Sequence, residues 1–183
     1  MAASVSVPTA ATASASASKT KNITYRGMTL TVPSNWQKLK VNAQTHGNDW
    51  ITVTTGPCEA ANSDCPSFEL VSGKVLTGGQ GLEPYRADRP FAPDGLPAPC
   101  RFESKYSEKF PGDKPAVSAQ RQVGRGHEAQ YREWTGECYA QKTDKRTRTF
   151  IQREWYLPKE GLLIVDGWNT RGLRDIIKRA TWR

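Results

Sequence analysis

The stretch TRTFIQREWYLPKEGLLIVDGW, residues 147–168, reads as two strands folded back on each other. PKEG, residues 158–161, suits a four-residue reverse turn in which Gly161 is free to take positive φ. The runs on either side then lie antiparallel. Beyond them Leu173, Ile176, Ile177 and Ala180 recur at i, i+3, i+4 and i+7, one face of a helix. Asn169 or Thr170 is placed to cap its start. Upstream, AVSAQRQV and HEAQYREWTGEC alternate as strands, and SFELVSGKVL adds another. QKLKV pairs with DWITVTT. Ile23, Tyr25, Met28, Leu30 and Val32 form an opening strand, with a bulge at Gly27 where the phase shifts. The expected fold class is α+β: an antiparallel sheet of about five to seven strands, crossed by the C-terminal helix and held by two disulfides.

MAASVSVPTAATASASAS, residues 1–18, carries no charge and no large periodic apolar side chains. It cannot bury enough surface to offset the entropy of ordering, so residues 1–21 are read as a flexible tether and 22–183 as one domain. The tether lacks the basic start and large-apolar run of a signal peptide. The chain is therefore read as a mature form from which any export signal has been removed. No stretch is long and apolar enough to span a bilayer. Residues 77–100, with GGQG and prolines at 84, 90, 93, 97 and 99, form a long irregular excursion.

PCEAANSDCP, residues 57–66, raises the question of compartment. Zinc ligands come two to four residues apart, usually as two such pairs. Here six residues separate Cys58 from Cys65, Cys100 and Cys138 stand alone, and only His46 and His127 offer ring nitrogens. There is no CxxC redox motif. Four cysteines allow three pairings, of which Cys58–Cys65 with Cys100–Cys138 is preferred because the first pair shares one short loop. Structural disulfides imply an oxidising compartment.

TYRGMTLTVPSNW, VGRGHEAQYREW, YLPKEGLLIVDGW and LRDIIKRATW, in this order, resemble the PsbP-like group, which includes lipid-anchored envelope proteins of actinobacteria. The resemblance rests on an opening strand leading into Pro33-x-x-Trp36, a Gly126-x-x-Ala129-x-Tyr131 strand, and a closing helix. It covers residues 22–183, apart from the cysteine-bearing middle at 56–100. It implies an accessory or regulatory binding module without catalytic residues. The Ala/Ser tether looks like the spacer that follows a lipidated cysteine in such proteins.

The net charge is +8, and residues 101–183 hold 18 of the 26 basic side chains against 11 of the 18 acidic ones. That asymmetry suits anionic partners. Arg171, Arg174 and Lys178 sit at i, i+3 and i+7 on the helix face away from Leu173 and Ile177, and Arg179 and Arg183 widen the strip. They are the candidate contact for anionic lipid headgroups or wall polymer. No RNA-binding or recognition-helix motif accompanies them, so nucleic acid is not expected.

GRGHEA, residues 124–129, fits a relaxed dinucleotide fingerprint but is followed by strand alternation, so it is read as a glycine turn. GGQG, residues 78–81, has no Lys-Ser/Thr after it and is read as a loop. His127 and Glu128 are neighbours on a strand and point to opposite faces, and His46 sits in a turn. Glu128, Asp166 and His127 are the acid–base candidates for an enzyme, scattered along the chain. Asn22-Ile23-Thr24 is a formal glycosylation sequon. The six tryptophans are assigned mainly to the core, with sugar stacking as the alternative.

These observations converge on a non-catalytic, cofactor-free extracytoplasmic domain, membrane-tethered or secreted, that binds another exported or membrane protein. Its contact surface would be a strand edge or the 77–100 excursion. The alternatives are an anionic-polymer or lipid binder acting through the basic helix, and an envelope enzyme.

Overall fold

A computed structural model describes residues 19–40, 47–56, 65–79, 81–93 and 95–183. The elements run β1 (Thr20–Tyr25), β2 (Met28–Pro33), β3 (Gln37–Lys40), β4 (Trp50–Thr54), β5 (Ser67–Ser72), α1 (Gly73–Thr77), β6 (Ala98–Pro99) and β7 (Ser107–Lys109). They continue through β8 (Val117–Gln122), β9 (Glu128–Ala140), β10 (Lys145–Leu157), β11 (Leu162–Asp166), α2 (Leu173–Lys178) and β12 (Thr181–Trp182).

This corrects the expected fold class. The protein is mostly β, with a nine-stranded sheet ordered β3-β4-β5-β11-β10-β9-β7-β6, β8 also pairing with β9, and a separate sheet β1-β2-β12. Only two short helices are present among the described residues. The strand count was underestimated because the 13-residue β9 accepts both β8 and β7 along one edge, at Glu128–Glu133 and then Glu137–Tyr139. The helix was overestimated because Gly172, in the left-handed region at φ 77, starts it late and β12 follows at Thr181. Neither Asn169 nor Thr170 caps it: Gly172 holds that position with no side-chain hydrogen bond.

Two further readings change. The phase shift near Gly27 is a turn, since Tyr25 pairs with Met28 and both Arg26 (φ 48) and Gly27 (φ 84) take positive φ. That is the two-residue turn matched to strand twist. SFELVSGKVL is strand only as far as Ser72 and then turns into α1. The 158–161 turn joins β10 and β11 as expected, with Leu157 opposite Leu162 and Gly161 at φ 57.

Alternation along the large sheet makes two cores. Ile51, Val53, Phe68, Leu70, Leu162, Ile164, Trp155 and Tyr131 point to one face. They meet the small sheet (Ile23, Met28, Leu30, Val32) and the buried side of α2 (Leu173, Ile176, Ile177). Each such fully buried side chain stabilises by about 1.5–3 kcal/mol. The neighbours of opposite phase, Trp50, Val71, Leu163 and Val165, face the other way and are covered by α1 and by Leu82, Tyr85 and Phe91 of the excursion. Cys100 and Cys138 are bridged (Cα–Cα 5.6 Å) within a third cluster around Phe150. Cys65 is also disulfide-bonded. Cys58, its expected partner, lies outside the described residues, as do His46 and the 1–18 part of the expected tether.

Candidate functional site: a braced cleft and a basic groove

The first concavity lies on the excursion side of the large sheet. It is a cleft of about 220 Å³ walled by Trp50, Glu69, Phe91, Pro93, Arg101, Glu108, Gln152 and Trp168. Gln152 of β10 contributes to its polar floor, on the face of that strand opposite Trp155 and Leu157, which look into the main core. Arg101 donates to Glu108 through Nε (2.9 Å) and Nη2 (2.5 Å), and to Gln152 Oε1 (2.8 Å). Gln152 Nε2 donates to the Phe91 carbonyl (3.0 Å) and to Glu154 Oε1 (2.9 Å). Glu154 also receives the Phe91 amide (2.7 Å) and the Tyr85 hydroxyl (3.0 Å). Two of its donors thus belong to the excursion, so this carboxyl fastens the excursion to the sheet. Gly167 is needed here, because a Cβ on it would meet Arg101 Nη1 at 1.5 Å.

Burial pushes the Glu154 carboxyl above its ordinary value of 4.5, while hydrogen bonds from Phe91, Gln152 and Tyr85 hold it back. The folded protein therefore keeps this proton more tightly than the unfolded chain. Its stabilising effect is complete below pH 4.5 and is lost as pH rises through the raised value. Glu154→Gln fits the same partners, with the amide oxygen towards Phe91 and the NH₂ towards the Tyr85 hydroxyl. Urea unfolding at a series of pH values should show the variant without this loss, and so gaining on the wild type as pH rises above 4.5. Parallel pH profiles for the two proteins would contradict that role.

The second concavity is a groove of about 420 Å³ between β8 and α2, lined by Gln120, Arg121, Gln122, Tyr131, Trp155, Arg174, Asp175 and Lys178. It divides the expected basic strip. Arg174 and Lys178 lie on α2 and line the groove, whereas Arg171 precedes Gly172 and Arg179 is the C-cap residue. All four are exposed. Arg174 bonds the Tyr131 hydroxyl (2.7 Å) and pairs with Glu133. Arg121, which sequence reasoning did not single out, reaches the groove from β8; only the strand register brings it beside α2.

The acid–base candidates do not converge. Asp166 is buried against Arg153 on the main-core side. His127 Nδ1 lies 2.6 Å from Glu160 with its ring stacked on Trp182 at 4.1 Å, and Glu128 is exposed. GRGHEA is a turn between antiparallel β8 and β9, with Gly124 (φ 71) and Gly126 (φ 81). In GGQG, Gly78 ends α1 in the left-handed region, and Gln80 lies outside the described residues. Four tryptophans, Trp36, Trp50, Trp134 and Trp155, are buried, whereas Trp168 and Trp182 are half-buried. Among the described residues no cluster of His, Cys, Asp or Glu could hold a metal ion, and no helix is long and apolar enough to cross a membrane.

No family model matches the chain, and no curated protein matches it. Among solved structures it is similar to the solution structure of cyanobacterial PsbP (CyanoP) from Synechocystis sp. PCC 6803. That match covers 95% of this chain and 98% of the other, with a TM-score of 0.41 and 11% identity.

Proposed function

We propose that this protein is a non-catalytic accessory or regulatory domain of the extracytoplasmic envelope, lipid-tethered or secreted, that binds another exported protein across its 77–100 excursion. One observation carries this reading: Gln152 at the cleft floor and Glu154 behind it hold that excursion in place, while Arg101 is engaged by side chains of the scaffold. Arg101 is engaged by Glu108 and Gln152, and Glu154 by Phe91, Tyr85 and Gln152. General acid–base catalysis needs a group within reach of substrate and poised to transfer a proton. Here the groups serve as struts, and a loop on a rigid scaffold is where recognition is usually placed. Leu96 is exposed near the cleft mouth, between lining residues Gly95 and Ala98. The Cys100–Cys138 bridge closes the excursion and supports an oxidising compartment.

The test is a photo-crosslinking residue at Leu96, in cells, against a control at Arg171. An adduct with one exported protein from Leu96, absent from Arg171, is the expected outcome. Adducts from Arg171 alone, or turnover of an envelope substrate by the purified domain, would count against the reading.

The β8–α2 groove favours a second reading, contact with an anionic lipid or wall polymer through the basic face of α2. Binding to anionic vesicles should then weaken with salt and on changing Arg171, Arg174 and Lys178 to alanine.

A further inference from the structure

We infer that the β8–α2 groove is a phosphodiester site in which Arg121, Arg174 and Lys178 hold one monoanionic phosphate group. The inference rests on the second reading above. It moves the contact from the outer strip into the groove, adds Arg121, and removes Arg171 and Arg179. A volume of about 420 Å³ falls within the range of roughly 300–1,000 Å³ of small-ligand sites, whereas the cleft near Trp168 falls below it.

Geometry favours an arginine-lined oxyanion site. The guanidinium carbons of Arg121 and Arg174 each lie 5.4 Å from the Tyr131 ring centroid, so at most twice that distance separates them. Lys178 follows Arg174 by four residues and shares its side of α2. Tyr131 and Glu133 fix Arg174 before any ligand arrives. A guanidinium already held in place loses less freedom on binding, and its planar fork suits two oxygens of one phosphate.

Charge narrows the ligand. Glu133 answers Arg174 and Asp175 faces the groove, leaving one net positive charge among these five groups. That balance suits a phosphodiester, with a single negative charge, over a phosphomonoester near its dianionic state. A phosphodiester occurs both in a lipid headgroup and in a free ester, and the test separates the two.

Binding of the whole chain would be measured to phosphatidylglycerol–phosphatidylcholine vesicles by co-sedimentation, and to soluble glycerophosphoglycerol by titration, with polyglutamate as a carboxylate control. Arg121→Ala and Lys178→Ala should each weaken binding about tenfold, the loss of one charge-assisted contact. A variant carrying both Arg171→Ala and Arg179→Ala should bind like the wild type. Arg121 and Lys178 are exposed, and unchanged thermal melts would show that both variants fold. Competition of glycerophosphoglycerol with vesicles supports recognition of the ester itself; vesicle binding without competition supports the lipid headgroup. If Arg121→Ala is silent and the Arg171/Arg179 variant loses binding, the groove assignment falls and the basic-face reading stands. If neither probe binds the wild type, both fall. Equal binding of polyglutamate overturns the phosphodiester specificity.

Discussion

Asp166→Ala is expected to cost about 3–5 kcal/mol of unfolding free energy, the range for removing one partner of a buried ion pair. Asp166 is fully buried and Arg153 is 5% exposed. The carboxylate accepts Arg153 Nε (2.9 Å) and Nη2, the Trp168 amide (3.1 Å), and the Thr170 amide (3.0 Å) and hydroxyl (3.1 Å). It thus both neutralises a buried cation and shapes the turn that delivers the chain to α2. Alanine would leave Arg153 with the Thr170 carbonyl (3.0 Å) as its remaining hydrogen-bond partner there, and a desolvated charge in that state is severely penalised. Urea unfolding should show a lower midpoint with an unchanged slope. Pairing Arg153→Met with Asp166→Leu should recover much of the loss, because the buried charge goes too. A single variant within about 1 kcal/mol of the wild type would mean that water reaches the pair, contrary to the burial argument.

Changing Cys100 and Cys138 together to alanine should cost about 4 kcal/mol on the loop-entropy model, given a sequence separation of 38. The bridge ties the end of the excursion to β9, next to Phe150, Phe102, Tyr106 and Phe110. Local protection should therefore fall first in residues 100–110, visible as faster amide exchange there than in β10 or β11. Reductant alone should act slowly on the native protein, because Cys100 is 2% and Cys138 0% exposed. Rapid reduction of the folded chain without loss of structure would refute the bridge's role as a brace.

What could be read from the residues follows from the range of the forces involved. The β10–β11 hairpin was legible because alternation and turn chemistry are local. The same run carried an unread message: Leu163 and Val165 are as buried as Leu162 and Ile164. A strand apolar on both faces requires a cover on each. Beyond α1, the outer cover is Leu82, Tyr85 and Phe91, sparse side chains among prolines and glycines with no period to betray them. Gln152-Arg153-Glu154 in the middle of an apolar strand was the available sign of buried polar contacts. Its partners could not be read, since Phe91 is 63 residues from Glu154. The apolar side of α2 was legible, but its cationic side was extrapolated past both helix ends. Gly172 breaks the period before Arg171 is reached. Arg121 carried no sequence signal, because only pairing of β8 with β9 sets it beside α2.

β12 has a consequence for how the molecule is assembled. Thr181 and Trp182 complete the small sheet against Thr29 and Met28, and Trp182 Nε1 reaches the Val123 carbonyl at 2.7 Å. The opening hairpin must therefore wait for the far end of the domain before its edge is sealed, the kind of long-range closure that slows folding. During synthesis, which begins with the N-terminal side, the hairpin stands open until the last residues emerge. In that interval a chaperone, or the edge of another unfinished chain, could claim it.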